Sequence, residues 1–388
     1  MIPTFTNLAG PPIFGGALIS DQDRLKMYQH SVPACFNIVN SFHYCKLLIM
    51  RRCVVFLCLL LARMSVFSQP FAPVNKDASP EAKNLLAYLY SINGKKLLSG
   101  QHNFNQNMNQ YNDSVHALTG KYPAVWGTDF IWNWTTDNGQ AIVDECIRKH
   151  KEGYIITLMW HQGRPLDEPP FRWKESIQGK LTDAEWKELT TEGTPLYKKW
   201  LAQIDVVAGY LGQLKAAHIP ILWRPYHEMN GIWFWWGNKP GKDGIVRLWK
   251  MMYDRYVNHF HLDNLLWVWG ANGPRDIPAD EAYAYKNFYP GHSYVDILGT
   301  DVYHMDYEQK DYNELLDLAQ GKLIALTECG ELPSAAILDA QPKWSWFLEW
   351  ADWIVSHNSP QQVKTVYDRP QTLTHEQVVV SYPLNITK

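Results

Sequence analysis

From about residue 80 onward, short apolar runs alternate with longer stretches of helical period. The runs are KLLSGQH (96–102), AVWGTDF (124–130), YIITLMWH (154–161) and IPILWRPYHE (219–228). Four more follow: NLLWVWGAN (264–272), YVDILGTDVY (294–303), KLIALTECG (322–330) and KWSWFLEWAD (343–352). Each is rich in apolar, β-branched and aromatic residues, as a strand buried on both faces requires. Helices are predicted over AIVDECIRKHKEG (141–153), PLYKKWLAQIDVVAGYLGQLKAAH (195–218) and IVRLWKMMYDRYVNHF (245–260). In the second, Leu201, Ile204, Val207, Leu211 and Leu214 recur at three- and four-residue steps, an amphipathic stripe. Strand and helix alternating eight times predict an α/β fold, a (β/α)8 TIM barrel, as a single domain over residues 70–388. Trp267 and Trp269 in LLWVWG are read as core, one facing the barrel interior and the other the helices.

Nearly every run starts apolar and ends polar, on His102, Asp129, His161, Glu228, Asn272, Tyr303 and Glu328. In a parallel barrel the C-terminal strand ends converge on one face, where active sites sit. Residues scattered along the chain are thereby gathered into one bowl. A doubly wound sheet would also cluster strand ends, but around a glycine-rich phosphate loop. Neither GxGxxG after a first strand nor GxxxxGK[ST] is present.

Composition narrows the partner. The 388 residues are 46% hydrophobic and 19% charged with a net charge of −3, so nothing suggests a nucleic-acid partner. Tryptophan is unusually frequent, at 18 residues, and keeps company with Asn, His, Arg and Glu. The stretch ILWRPYHEMNGIWFWWG (221–237) sets Trp223, Tyr226, Trp233, Trp235 and Trp236 beside Arg224, His227 and Glu228. A wall that grips a flat, polar ligand would need both kinds of side chain.

The front of the chain reads as a targeting segment. MRRCVVFLCLLLARMSVFSQ (50–69) has a basic start at Arg51 and Arg52 and an apolar stretch from Val54 to Ala62. Ser65 and Ser68 then lead to a cleavage point before Gln69 or Pro70, the pattern of a signal peptide. Met50 is therefore expected to be the true start, with residues 1–49 an upstream translation artefact. A signal-anchor is the alternative, but Arg63 interrupts the apolar run. Cys35, Cys45, Cys53 and Cys58 lie in this front part, leaving only Cys146 and Cys329. No disulfide framework is expected, nor a lipid anchor at Cys58. The expected product is secreted or periplasmic, with no membrane partner beyond the signal peptide, and a monomer by default.

Two glutamates stand out: Glu228 ends the fourth run and Glu328 the seventh. Paired carboxylates across a cleft can hydrolyse a glycosidic bond, and sugar rings stack on Trp and Tyr while their hydroxyls take polar partners. A HExxH zinc site would need histidine at 231, where Gly231 stands, and GxSxG is absent. Cys329, beside Glu328, is read as a small packing residue.

WRPYHEMNGIWFWWG closely resembles the acid/base motif of glycoside hydrolase family 26, a family dominated by endo-β-1,4-mannanases. The resemblance extends over residues 80–375 and implies a retaining (β/α)8 enzyme. It implies Glu228 in HEMNG as acid/base, Glu328 in LTECG as nucleophile, and His227 as a positioning histidine. Trp233 matches an aromatic at the catalytic sugar, and His161 in MWH a histidine contacting the same sugar. Asp301 and Tyr303 in TDVY match a strand-six pair whose tyrosine bonds the nucleophile, and Trp350 in FLEW resembles the floor of the −1 subsite. One departure is Ala351, where some members carry a sugar-binding arginine. Trp173, in the long insert after His161, is either a sugar platform or a loop-packing residue. Arg224 and Asn230 are read as braces of the acid/base region, with Arg224 equally suited to an ion pair inside the barrel.

The activity this implies is retaining endo-hydrolysis of β-1,4-mannosidic bonds in mannan, glucomannan or galactomannan, with β-mannan as partner and no cofactor or metal. A β-1,3-1,4-glucanase or β-1,3-xylanase of the same family would differ in how the −1 subsite treats the 2-hydroxyl. A non-catalytic polysaccharide-binding protein would have no need of both glutamates.

Overall fold

The computed structural model describes residues 72–130 and 137–380, which fall within one unit spanning Ser68–Lys388. The expected signal peptide at 50–69 and the segment 1–49 lie outside the described residues. All eight apolar runs form parallel strands: β1 (Gly100–His102), β2 (Val125–Phe130), β3 (Ile155–Trp160) and β4 (Ile221–Arg224), then β5 (Leu265–Asn272), β6 (Ile297–Val302), β7 (Leu323–Cys329) and β8 (Trp344–Glu349). Each pairs with the next, and Gln101 opposite Glu349 joins β8 to β1, so the sheet closes into a barrel. The first run is split. Leu97–Leu98 pairs both with Trp346 of β8 and with a short C-terminal strand, Thr372–Leu373, and Ser99 at the break bonds Leu373 through both its amide and hydroxyl.

The predicted helices form at α3 (Gly139–Glu152), α5 (Pro195–Ala216) and α6 (Ile245–Tyr253), the last continuing as a π-helix over Asp254–His259, with α2 (Gln110–Thr119) and α4 (Asp183–Leu189) besides. Thr194 caps α5 by accepting the Tyr197 amide, Pro195 fits its first turn, and Gly153 ends α3 in a left-handed conformation at φ +100°. The buried stripe of α5 runs Leu196, Trp200, Ile204, Val207, Leu211 and Leu214; Leu201 lies only half-buried at its margin. Alternation fails once. Between β5 and β6 the chain makes two 3-10 turns, Tyr285–Asn287 and His292–Tyr294, and no α-helix, because Pro274, Pro278 and Pro290 interrupt it.

Helix α1 (Pro80–Ile92), which the pattern of runs did not single out, closes the N-terminal end of the barrel. Its Ala82, Leu85, Leu86 and Leu89 pack with inward residues at the starts of the strands, among them Val125, Ile155, Leu222, Leu266, Ile297 and Leu323. The opposite end is left for polar side chains. Trp267 and Trp269 are both fully buried but both point outward, Trp267 onto Trp249 and Tyr253 and Trp269 onto Tyr289. The expectation that one faced the interior fails on strand periodicity, since residues two apart share a face. The interior position after Trp269 is a glycine, as is one on the neighbouring strand β6. A Cβ on Gly270 would lie 3.0 Å from Cδ of Arg224, and one on Gly299 would lie 2.3 Å from Cγ2 of Thr327. These two glycines clear the space that the polar layer above the apolar plug occupies.

Because α1 seals the end remote from that layer, Leu85→Ala should lower stability by about 2–5 kcal/mol. Denaturant unfolding checks the loss, and the folded variant should bind and process ligands as the parent does.

Candidate active site

Strand β4 ends at Arg224 because Pro225 has no amide to continue the ladder. The chain then turns sharply, with Tyr226 at φ +48° and Glu228 at φ +52°. Glu228 is thus not the last residue of a strand, as expected. It sits four residues beyond, held by its own amide on the Gly270 carbonyl (2.8 Å).

Arg224 itself is 1% exposed and points into the barrel. It donates to Oδ2 of Asp301 (2.9 Å) at the end of β6 and to Oε1 of Glu328 on β7. Asp301 also accepts from the Thr327 hydroxyl (2.6 Å), and Glu328 from the Tyr303 hydroxyl (2.7 Å). Of the two roles open to Arg224, the ion pair inside the barrel is the one it takes. Asp301 was expected to meet substrate. It is fully buried with its oxygens engaged by Arg224 and Thr327, so it belongs to the charge network beneath Glu328. Burial, then the charge of Glu328, holds the Tyr303 phenol well above its ordinary range, which keeps it a donor.

Glu228 has a different environment. Oε1 accepts from Nδ2 of Asn272 (2.8 Å) and Oε2 from Nε1 of Trp233 (2.5 Å). Burial, followed by the charge of Glu328, raises its carboxyl to about 7, against the opposing pull of Asn272, Trp233 and Arg275. Asn230 ties this region together: its side chain bonds the Asn272 amide and carbonyl (2.7 and 2.8 Å) and the Tyr283 carbonyl (2.8 Å). One oxygen each of Glu228, Asp301 and Glu328 lies within 4.8 Å of the others. Among the described residues this cluster alone has the donors for a metal ion, and Arg224 already donates to two of its three members.

A histidine and aromatic wall completes the bowl. His161 lies with Nδ1 3.1 Å from Asp129 and meets His227 edge to face at 4.4 Å. Burial first, then the neighbouring His161 and Arg224, keeps His227 well below the usual imidazole range, hence neutral. Burial works to raise Asp129, but His161 and His102 hold it well below the usual carboxylate range. Trp350 stacks on His102 at 4.3 Å, and Trp173 lies 5.2 Å from His161 and 5.9 Å from Phe234. The aromatic stretch around Glu228 is less exposed than expected. Trp223, Tyr226, Trp235 and Trp236 are fully buried: Trp223 packs on Phe130 and Tyr256, Tyr226 accepts from Trp200 (2.8 Å), and Trp236 donates to the His227 carbonyl (2.8 Å). Of these aromatics only Trp233 keeps a partly open face.

The profile described as glycosyl hydrolase family 26 matches residues 74–377. The chain belongs to this family. Among curated relatives, a mannan endo-1,4-beta-mannosidase of Thermothelomyces thermophilus is 34% identical over 322 residues, 78% of this chain and 62% of that protein. One from Bacillus subtilis strain 168 is 30% identical over 330 residues, 76% of this chain and 88% of that protein. The chain spans 50–62% of the length of three curated relatives, the one from Thermothelomyces thermophilus and two from Piromyces sp. Among solved structures, GH26A from Muricauda sp. MAR_2010_75 is 57% identical at a TM-score of 0.77, over 79% of this chain and 99% of that one. A ruminal GH26 endo-beta-1,4-mannanase is 26% identical at a TM-score of 0.71, over 82% and 73%.

Within this family 26 barrel, the site holds residues that sequence reasoning left without a role. His102, Asp129 and Asn272 were visible as polar ends of apolar runs, which was their only signal. Met159, whose sulfur meets Arg224 at 2.9 Å, and Thr327 lay inside runs and gave none. Arg275 lies on an irregular loop that no periodicity marks.

Arg224→Met would leave Asp301 and Glu328 buried together without their cation. It should cost about 3–5 kcal/mol, the range for breaking a buried pair from one side. Denaturant unfolding at neutral pH measures this, and the loss should shrink in acid as the carboxyls protonate.

Proposed function

We propose that the chain hydrolyses internal β-1,4-mannosidic bonds with net retention, Glu328 acting as nucleophile and Glu228 as acid/base. The observation that carries this is the pair of carboxyls with oxygens within 4.8 Å of each other in opposite environments. Retaining glycosidases set the two groups about 5–5.5 Å apart, whereas inverting ones need about 6.5–9.5 Å to admit water. Glu328, bonded by Arg224 and Tyr303, is dressed as an anion able to attack the anomeric carbon. Glu228, raised to about 7, holds the proton that the leaving oxygen requires.

The second half of the cycle follows from the same electrostatics. Bonding to sugar removes the charge of Glu328, one of the two influences that raise Glu228. Glu228 then gives up its proton and serves as base toward incoming water. The half-open faces of Trp233, Trp173 and Trp350 offer stacking surfaces for sugar rings around that point. Mannan as substrate is supported by the relatives named mannan endo-1,4-beta-mannosidase. Export through residues 50–69 is part of the same proposal, since a polysaccharide substrate lies outside the cell.

The test is the product profile of residues 70–388 on linear mannan and galactomannan, with lichenan alongside. Rapid viscosity loss with mixed manno-oligosaccharides is expected; hydrolysis of lichenan without mannan would overturn the substrate. The alkaline limb of kcat/KM should fall near pH 7, where Glu228 loses its proton. Glu228→Ala should lose about 10²–10⁴-fold on mannan and far less on an aryl mannoside whose leaving group needs no acid. Equal losses on both substrates would remove Glu228 from the acid role.

A further inference from the structure

Both oxygens of Glu228 face N–H groups, and one of those groups belongs to an amide that could present either end. Asn272 offers Nδ2 to Oε1 of Glu228 (2.8 Å), while its Oδ1 accepts from Nη1 of Arg275 (2.6 Å). An amide rotated by half a turn would exchange oxygen for nitrogen, at little cost if its other partner could adapt. A guanidinium has donors only, so it can meet the amide at Oδ1 and nowhere else.

Arg275 is itself well held. Its Nη2 and Nε donate to the side chain and carbonyl of Asp280 (2.8 and 3.0 Å), and its backbone pairs with Ala282. Ala282 also bridges to Gly231, three residues beyond Glu228, so this loop is fastened to the turn that carries the glutamate. The guanidinium lies 5.0 Å from the ring of Trp233, whose Nε1 donates to the other oxygen of Glu228. Arg275 therefore stands behind both donors.

We propose that Arg275 is a positioning residue that locks the Asn272 amide with its nitrogen toward Glu228, keeping the acid/base glutamate suited to its base step. This rests on the acid/base role of Glu228 proposed above. With the lock in place, two donors oppose burial and favour the carboxylate. Without it, a rotated Asn272 would offer Oδ1 as an acceptor to protonated Glu228 and hold the proton there. The acid step would survive while the base step slowed. Other charged and titratable groups near Glu228 are Glu328 and Asp301 from β7 and β6, Arg224 from β4, and Arg275 itself, with Tyr303 and neutral His227 beside them. None of the others touches the Asn272 amide.

The experiment compares wild type, Arg275→Met, Asn272→Ala and the double variant. It follows Glu228 by carbon NMR of labelled carboxyls and by the pH profile of kcat/KM. Arg275→Met is expected to move the Glu228 titration and the alkaline limb upward by about one pH unit. On an activated aryl mannoside, where the base step limits, kcat and KM should fall together as glycosyl-enzyme accumulates. In the Asn272→Ala background the shift should shrink to the small remainder due to the lost charge alone. A full shift in that background, or none in the wild-type background, would overturn the proposal. Arg275→Gln, which can meet either end of the amide, should behave as Arg275→Met and serves if that variant does not fold. The NMR titration needs no turnover, so a wild type inert on every polysaccharide would count against the proposed function while the amide lock was still read.

Discussion

Arg224 brings a positive charge into the interior of a closed sheet, where water cannot solvate it, and everything at the barrel mouth is arranged around that charge. It needs carboxylates, and Asp301 and Glu328 supply them from β6 and β7. Those carboxylates in turn need donors for their remaining oxygens, which Thr327 and Tyr303 provide. Space for the guanidinium stem comes from the absent side chain of Gly270. Such a group is costly to bury and severely destabilising to break, so its members are tied to one another's positions.

The same network creates the difference between the two glutamates. Glu328 has a cation and a phenol aimed at it. Glu228 has neutral N–H donors, a low-dielectric surround and the repulsion of Glu328, and so keeps a proton to near neutrality. Two like carboxyls a few ångströms apart cannot both ionise freely. The barrel sets Arg224 on Glu328 and gives Glu228 the neutral donors Asn272 and Trp233. In the proposed reaction, acid and base duties on Glu228 require only that the charge of Glu328 come and go.

Much of this was legible residue by residue. The eight apolar runs with polar ends led to the barrel and to its functional face, and the motif around Glu228 led to the pair of glutamates. Where the reading failed, the cause was geometric. Trp223, Tyr226, Trp235 and Trp236 were expected to line a cleft because they sit beside charged residues. Trp223 is buried on β4 against Phe130 and Tyr256, and the other three because left-handed turns at Tyr226 and Glu228 fold the segment back on itself. Asp301, on β6, and Tyr303, just beyond its end, are two residues apart along the chain, and Asp301 lies one layer deeper.

What the sequence determined by itself is therefore the alternation, the faces and the candidate chemistry, because these depend on period and residue type along one strand or helix. What only the tertiary structure decided is which groups share a proton or a charge. Arg224 is 77 residues from Asp301 and 104 from Glu328, and Asn272 is 44 from Glu228. Those pairings are set by closure of the barrel and by the depth at which each side chain leaves its strand. Neither is encoded in any local pattern. Arg275 makes the point most plainly: on its loop it is one more charged residue, and only the folded chain places it behind both donors to Glu228.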